Sequence, residues 1–412
     1  EHAIAAPLCT RQLAELGAQV IKVERRGTGD FARHYDDRVK GQSSHFIWTN
    51  RSKKSLTLDL KHQDSGPVLH RLLETADVLV QNLAPGAANK MGLGFERLHK
   101  EYEKLIVCNI SGYGPSGPYE KKKAYDLLVQ AEAGLLSITG TANEMVKSSI
   151  SIADIAAGMQ AQTAILAALI QRSKTDKGSN INISMLEAMV EWMGFPLNYA
   201  YDGAPPTHRT GTDHASIYPY GAFVTGDEKV IMLGLQNERE WALFCESVLE
   251  QTELTSDPRF AKNVSRSSNR EPLKKIIEEK FANFTAKEVA NKLDQAQIAF
   301  ANVNDMPEVW GHPQLKALKR LIDTDTPKGA VKSFKPPGNN SSFEPSLGPV
   351  PALGEHTTEI LSNLGVDPNE IKRFTQTQAG YTRASRRLEL CAMIPAMPET
   401  WTIGARSARA AA

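Results

Sequence analysis

The sequence has few cysteines and no excess of charge of either sign. Four cysteines, Cys9, Cys108, Cys245 and Cys391, are far apart among 412 residues and form no CxxC pair. This spacing excludes the dense disulfide framework of small secreted proteins and favours a reducing compartment, the cytoplasm or the mitochondrial matrix. Because 48 basic residues nearly cancel 47 acidic ones, we expect neither nucleic acid nor a membrane as a partner.

Several common catalytic and nucleotide-binding motifs are also missing. No GxGxxG follows a strand, neither GxxxxGK[ST] nor GxSxG occurs, and the ten histidines show no HExxH or zinc-type spacing. These absences exclude the usual dinucleotide site, the P-loop, the hydrolase elbow and a dedicated metal site. The longest apolar stretch, residues 155–170, is interrupted by Gln160 and Gln162. It is too short to cross a bilayer and predicts a buried helix.

Helical and strand-like segments alternate through the first two hundred residues. The pattern predicts helices at residues 8–17, 66–75, 155–172 and 185–193, and strands at residues 19–24, 55–60, 76–80, 105–110 and 180–183. This alternation predicts an α/β fold with a parallel, Rossmann-like sheet. Each strand runs into polar or glycine-rich residues, where open α/β sheets bind their ligands.

The rest of the chain predicts a smaller α+β domain and an irregular end. We predict a large domain over residues 1–200, a linker over 201–213, the small domain over 214–310 and a return segment over 311–376 that packs on the large domain. Capping boxes at Ser268 to Glu271 and at Thr285 to Glu288 predict two helix starts. Residues 327–353 are rich in proline and glycine and predict an irregular connection. Residues 377–412 form an atypical tail, either disordered or a basic functional segment.

Basic and amide side chains collect near the predicted strand ends. They are Arg25, Arg26, Arg33, Lys53, Lys54, Lys61, Asn82, Lys90 and Lys121 to Lys123. Each alone is typical of a solvated surface, whereas together on one rim they would hold a phosphate-bearing ligand. Asp154 stands at the predicted start of the long helix. It is there either as an N-cap or as a carboxylate nucleophile, and residue types alone leave both open.

Several motifs in order resemble one enzyme family. They are LAELGAQVIKVERRGTGD (residues 13–30), NRSKKS (50–55), NLAPG (82–86), MGLG (91–94), SGYG (111–114), LAAL (166–169), KTDKG (174–178) and LGEHT (353–357). Over about residues 3–375 the chain is similar to the class III CoA-transferases, also called the carnitine–crotonobetaine CoA-transferase family.

The resemblance implies a site, a reaction and an assembly. It implies a catalytic aspartate at Asp154, an assisting carboxylate at Asp126, and an interlocked homodimer. The family's CoA contacts fall on Arg25, Leu58, Lys61, Asn82, Leu83, Lys90, Lys123 and Met185. CoA thioesters and small carboxylic acids are then substrates, with no permanently bound cofactor and no metal. Amides at the helix start should favour the charged form of Asp154.

Three further expectations concern the substrate and the alternatives. The segment over residues 214–223 resembles the branch that uses succinyl-CoA with dicarboxylates such as glutarate, in which His214 either contacts the acceptor or makes a structural hydrogen bond. An α-methylacyl-CoA racemase is the alternative within this fold, but its histidine position falls on Tyr125, a poor base. A CoA-binding homologue without turnover is a third reading, because the family's first strand is cut to residues 1–5.

Overall fold

The computed structural model describes residues 1–60, 62 and 64–376, so Lys61 and the predicted tail over residues 377–412 lie outside the described part. The first elements are α1 (Ala5–Glu15), β1 (Val20–Glu24), α2 (Ser44–Asn50), β2 (Lys53–Thr57), α3 (Ser65–Thr75), β3 (Val78–Gln81), α4 (Ala87–Lys90), α5 (Phe95–Glu101), β4 (Ile106–Ser111), α6 (Asp126–Glu132), α7 (Leu135–Ile138), α8 (Ile152–Thr175), β5 (Asn180–Ser184), α9 (Met185–Trp192) and α10 (Gly194–Tyr199).

The remaining elements form the smaller unit and the return of the chain. They are β6 (Tyr220–Val224), β7 (Val230–Gly234), α11 (Glu238–Leu243), α12 (Asn263–Ser268), α13 (Arg270–Phe281), α14 (Ala286–Gln295), β8 (Ala299–Asn302), α15 (Met306–Gly311), α16 (Pro313–Ala317), β9 (Leu321–Thr324), β10 (Val331–Phe334), α17 (Thr357–Asn363) and α18 (Pro368–Gln376). A π-helical turn, Phe244–Leu249, continues α11.

The first half of the chain carries two parallel sheets. Strand β1 pairs with β2, and β4 lies between β3 and β5 in a second, separate sheet. The described residues thus form two parallel sheets where the sequence predicted one. The N-terminal residues connect the two, because the His2 backbone bonds to the side chain of Asn82 after β3, while the Ala3 amide donates to Asp30 beyond β1.

Helix α8 organises the core beside the three-stranded sheet. Four of its alanines, Ala153, Ala156, Ala157 and Ala161, are fully buried in one cluster with α1, β4, α6 and α9. Gly158 permits the close crossing of α1, since a Cβ there would lie 2.6 Å from the Ala5 carbonyl oxygen. The predicted long helix is present and extends over 24 residues, but it is buried along only one side, so the expectation of a buried helix holds for that side alone.

By length and apolar composition, α8 is the one helix of residues 1–60, 62 and 64–376 that would be able to span a membrane. A core helix meets the same criterion, and the buried side of α8 packs against α1 in the large core cluster. Leu166 and Ile170 lie on its exposed side. Some apolar side chains of α8 therefore lie in the core, and others face solvent.

The smaller unit has a core of its own. Strand β7 pairs antiparallel with β6 and β8, and the buried side chains of Trp241, Phe244 and Phe281 fill the space between this sheet and its helices. The capping box at Thr285 and Glu288 is present. The one predicted at Ser268 is wrong, because α12 includes Ser268 and α13 begins at Arg270.

The chain then returns to the two-stranded parallel sheet. Strand β10 forms an antiparallel hairpin with β9, so the predicted irregular stretch contains a strand. Beyond it, the Gly354 amide donates to the Ser55 hydroxyl, and the Thr57 amide donates to the Thr357 hydroxyl. Helices α17 and α18 add their apolar residues to the core of β2 and α3. These contacts fix the end of the described chain against β2.

Candidate active site

Asp154 is the third residue of α8, and its carboxylate faces the start of α1. Helix α8 begins at Ile152, preceded by Ser151, so the N-cap interpretation of Asp154 was wrong. The half-buried Asp154 carboxylate lies close to the backbone amide of Ala5, the first residue of α1, and this amide acts to lower the pKa of the carboxyl. Because an N-terminal amide carries a partial positive charge, the start of α1 is positioned to bind the carboxylate.

Asp126, the first residue of α6, caps the N-terminus of α8 in place of Asp154. Its Oδ1 accepts the backbone amides of Ala153 at 2.8 Å and of Asp154 at 3.2 Å. These are amides of the first turn of α8, which have no partner inside the helix. Asp126 therefore caps a neighbouring helix, and the Asp154 side chain is free for other chemistry.

Burial raises the pKa of Asp154 to about 7, and the nearby charge of Asp126 adds to this effect. The Ala5 amide acts in the opposite direction but is the smaller influence. The prediction that helix-start amides favour the charged form was therefore wrong in its net direction, because the first-turn amides of α8 bond to Asp126. At neutral pH, ionised and protonated forms of Asp154 coexist.

Two tyrosines belong to the surroundings of this carboxylate. Burial raises the pKa of Tyr35 to about 12, with the charges of Asp30 and Asp154 contributing, which places Tyr35 within electrostatic reach of Asp154. Tyr125 immediately precedes Asp126 and is 71% exposed.

Four of the expected CoA contacts directly follow parallel strands. Arg25 follows β1, Leu58 follows β2, Asn82 follows β3, and Met185 follows β5. Within one sheet, the carboxyl ends of parallel strands share an edge, which is where open α/β folds bind ligands. Two of the four positions lie on that edge of the first parallel sheet and two on that edge of the second. Burial lowers the pKa of His2 to about 4, and the charge of Arg25 also contributes. His2 thus lies close to both Arg25 and Asn82.

The side chains of these positions differ in how accessible they are. Arg25, Lys90 and Lys123 are exposed, Leu83 is half-buried, and Leu58 and Met185 are buried in the core. Both amide atoms of Asn82 already bond to the His2 backbone, each at 2.8 Å. Lys61 lies outside the described residues. Among the described positions expected to contact CoA, Arg25, Lys90 and Lys123 are the cations exposed to a ligand.

The basic rim predicted from the sequence is narrower in the structure. Arg33 makes a two-pronged pair with Glu24, with both nitrogen-to-oxygen distances 2.8 Å. Lys53 is buried and contacts the Glu1 carboxylate at 2.9 Å. Lys54 pairs with Glu359. These three cations stabilise the packing around β1 and β2, and they are not grouped with Arg25 as a phosphate site.

The sequence reasoning missed three components of the site. The Ala5 donor is a backbone amide, which leaves no residue-type signal. Tyr35 lies within electrostatic range of Asp154 but is far from it in the sequence. Gln130 contacts Asp126 at 2.6 Å, and its position four residues later on one helix is the signal that would have found it.

His214 lies in the smaller unit and supports a turn. Its Nδ1 accepts the backbone amides of Ser216 and Ile217 at 3.2 and 3.1 Å, and its ring stacks on Tyr220 with centroids 5.2 Å apart. These contacts hold the start of the segment over residues 214–223. They are the structural hydrogen bonds expected as one of the two roles of this histidine.

Known proteins resemble this chain over most of its length. The family model described as CoA-transferase family III matches residues 1–357. Human succinyl-CoA:glutarate CoA-transferase is 34% identical over 366 residues, covering 88% of this chain and 83% of its own. Formyl-CoA:oxalate CoA-transferase of Afipia carboxidovorans is 30% identical over 414 residues, covering 94% and 95%.

A solved structure supports the same assignment. The crystal structure of a CAIB/BAIF family protein from Brucella suis superimposes with a TM-score of 0.79 at 30% identity, covering 88% of this chain and 96% of that one. Its likeness extends to the mixed α/β architecture with parallel sheets. Sequence and fold agree, and the chain belongs to CoA-transferase family III, whose enzymes transfer CoA between acyl-CoA thioesters and carboxylic acids.

Proposed function

We propose that Asp154 is the nucleophile through which this enzyme transfers CoA. A carboxylate oxygen of Asp154 attacks the thioester carbonyl carbon, the carbon–sulfur bond breaks, and an aspartyl–acyl anhydride and CoA thiolate form. The thiolate then attacks the aspartyl carbonyl, which releases the donor acid and leaves an aspartyl-CoA thioester. An acceptor carboxylate repeats the two steps in reverse, yielding acceptor acyl-CoA and free Asp154.

The observation that carries this proposal is the placement of the Asp154 carboxylate. It is half-buried, relieved of capping by Asp126, and close to the Ala5 amide at the start of α1. An amide donor in this position stabilises oxyanions that develop on the reacting carbonyls. Partial burial also limits the access of water, which would hydrolyse an anhydride. None of the steps requires a metal or an added proton donor.

The carboxyl ends of the parallel strands provide the CoA-binding edge in this proposal. The exposed cations Arg25, Lys90 and Lys123 are suited to the phosphates of CoA, because charge-assisted hydrogen bonds to phosphate are the strongest that side chains make. Leu58, Leu83 and Met185 are the other positions of this edge, and the amides of the two leucines already bond to Glu24 and Gln81. Met185 shares a core cluster with Ala5 and Ala153, so this edge continues to the nucleophile.

For the substrates, we propose succinyl-CoA or a similar donor and a small dicarboxylic acceptor such as glutarate. Two observations support this choice. The segment over residues 214–223 resembles the glutarate branch, and the human succinyl-CoA:glutarate enzyme is 34% identical to this chain. The oxalate-specific relative is 30% identical, so formyl-CoA and oxalate are the natural competitors in an assay.

We further infer that two chains associate as an interlocked homodimer. Large apolar side chains remain exposed on α8, α9 and α10, among them Ile170, Trp192, Phe195 and Leu197. Apolar surface on this scale marks an association site in soluble proteins. Cys9, Cys108 and Cys245 are free and buried, in keeping with the proposed cytoplasmic or mitochondrial location. Light scattering of the purified chain measures the oligomeric state.

An exchange assay tests the proposed function. Purified enzyme receives succinyl-CoA with glutarate, succinyl-CoA with oxalate, or formyl-CoA with oxalate, and the new acyl-CoA is followed by chromatography. We expect glutaryl-CoA to form fastest, and Asp154→Ala to abolish transfer while the exposed control Asp294→Ala keeps it. Transfer by Asp154→Ala at the wild-type rate would remove the proposed mechanism, and a preference for oxalate would overturn the substrate choice.

A further inference from the structure

Gln130 joins three parts of the chain that meet at the start of α8. Its side chain is 1% exposed. Its Nε2 donates to Asp126 Oδ2 at 2.6 Å and also contacts the Ile150 carbonyl at 3.5 Å. Its Oε1 accepts the Ser148 amide at 3.0 Å. One buried amide therefore connects α6 to the segment that leads into α8.

This connection extends to Asp154 in one further step. Asp126 Oδ2 bonds to Gln130, while Oδ1 of the same carboxylate bonds to the amides of Ala153 and Asp154. The segment that Gln130 also holds, residues 148–150, immediately precedes Ser151 at the N-cap position of α8. Gln130 thus restrains the start of α8 from two directions, through its cap and through its entry segment.

We propose that Gln130 is a positioning residue for CoA transfer, which orients the Asp126 carboxylate and fixes the entry to α8 so that Asp154 meets the thioester in a reactive geometry. This inference rests on the proposed function of Asp154. Gln130 does not touch the reacting atoms, and Asp126 intervenes between them. Displacements of about 1 Å at such positions can cost on the order of 100-fold in rate.

An amide is the side chain that this position needs. Gln130 must donate toward a carboxylate and accept from a backbone amide at the same time, and glutamine has both groups at one end. Methionine has a similar length but leaves Asp126 Oδ2 and the Ser148 amide without their partner. Glutamate can donate to Asp126 only while the pair of carboxyl groups holds a proton, because two adjacent carboxylates resist joint ionisation.

Other ionisable groups surround Asp154. Asp126 on α6 raises the pKa of Asp154, and Tyr35 lies within electrostatic reach. The neighbouring elements also carry Cys9, Arg11 and Glu15 on α1, Cys108 on β4, Glu132 on α6, and Glu187 and Glu191 on α9. None of these is altered in the variants below, so they contribute equally to wild type and variants.

The test compares Gln130→Glu, Gln130→Met and the exposed control Gln171→Glu on α8. We measure kcat and KM for succinyl-CoA per folded enzyme between about pH 6 and 9, together with the amount of covalent adduct on the Asp154 peptide. We expect Gln130→Met to lower kcat by about 10- to 100-fold at every pH with KM little changed. The kcat of Gln130→Glu should be closest to that of wild type at the acidic end of the range. It should fall progressively at higher pH, as the carboxyl pair formed with Asp126 loses its proton.

Several results would overturn the assignment. Wild-type kcat per folded enzyme for both Gln130 variants across the pH range would contradict it, as would a Gln130→Glu profile parallel to that of Gln171→Glu. If Gln130→Met does not fold, Gln130→Glu at the acidic end retains a proton donor and provides the comparison. If the wild-type protein and the Gln130 variants form the Asp154 adduct at the same rate, the role of Gln130 is contradicted but the proposed function is not. Absence of the adduct from wild type contradicts the proposed function itself.

Discussion

The Asp126 carboxylate caps the helix that presents Asp154, accepting the Asp154 amide at 3.2 Å. The Asp126 carboxylate thus caps the backbone of α8, and the Asp154 carboxylate stays available for reaction. The same proximity raises the pKa of Asp154, since the charge of Asp126 adds to the effect of burial. Structure and reactivity at this site are therefore linked through a pair of aspartates.

Two substitutions of Asp126 distinguish its role as the cap of α8 from the effect of its charge on the pKa of Asp154. Asp126→Asn keeps an oxygen that can accept the amides of α8 but removes the charge, so the pKa of Asp154 should fall below about 7. The acidic limb of the kcat profile should then move to lower pH. Asp126→Ala loses the cap as well and should cost roughly 1 kcal/mol of stability. An unchanged acidic limb in Asp126→Asn would contradict the electrostatic link.

Asp154→Asn should abolish transfer but stabilise the fold at neutral and alkaline pH. The pKa of Asp154 is raised to about 7 in the folded chain, whereas it is ~3.9 in an unfolded one. The folded state therefore binds more protons between these values, and wild-type stability falls as pH rises through this window.

The stability gain of Asp154→Asn should vanish below about pH 4 and reach its maximum above about pH 7, with an upper limit of ~4 kcal/mol. Urea unfolding at several pH values measures it, with Asp294→Asn as the exposed control. A gain that is the same at all pH values would show that the ionisation of Asp154 is not its source.

Gly158→Ala should move α1 away from the nucleophile. A Cβ at Gly158 would lie 2.6 Å from the Ala5 carbonyl oxygen, so α1 has to shift and take the Ala5 amide with it. We expect a loss of roughly 1 to 3 kcal/mol in stability and a lower kcat. Gly66→Ala is the matched control, because no neighbouring atom lies within 4 Å of its Cβ position. Equal kcat for both variants would contradict the role of Ala5.

Arg25→Ala tests the CoA edge. Removing one phosphate contact should raise KM for succinyl-CoA by about 10-fold, equivalent to ~1.4 kcal/mol, while kcat stays within about twofold of wild type. The exposed Arg38→Ala serves as the control for loss of one positive charge. Added salt should narrow the difference between Arg25→Ala and wild type. If Arg25→Ala and Arg38→Ala have the same KM for succinyl-CoA, the phosphates of CoA do not bind at Arg25.

The sequence was sufficient to predict much of the architecture. Residues 19–24 correctly indicated the parallel strand β1, although its buried side chains are Lys22 and Glu24 and its apolar ones are half-buried. Residues 185–193 indicated α9. Strand β2 lies earlier than predicted, because the polar residues Lys53 and Ser55 belong to it and are buried by partners far away in the sequence. Local pattern does not show such partners.

The site was predictable where chemistry resides in a residue type and not where it resides in contacts. Asp154 and Asp126 were identified through the family resemblance, but their division of labour depends on α8 beginning two residues before Asp154. The Ala5 amide depends on how α1 crosses α8 at Gly158. Ion pairs such as Arg33 with Glu24 also removed cations from the predicted basic rim, because tertiary packing brought acidic partners to them.

Trapping the covalent intermediate tests the central claim most directly. The enzyme is incubated with succinyl-CoA, treated with hydroxylamine or borohydride, digested, and analysed by mass spectrometry. Our account predicts a modification on the Asp154 side chain, which is absent from Asp154→Ala and unaffected in Asp294→Ala. A folded wild-type enzyme that transfers CoA while Asp154 remains unmodified, or that carries the modification on another residue, would contradict the account.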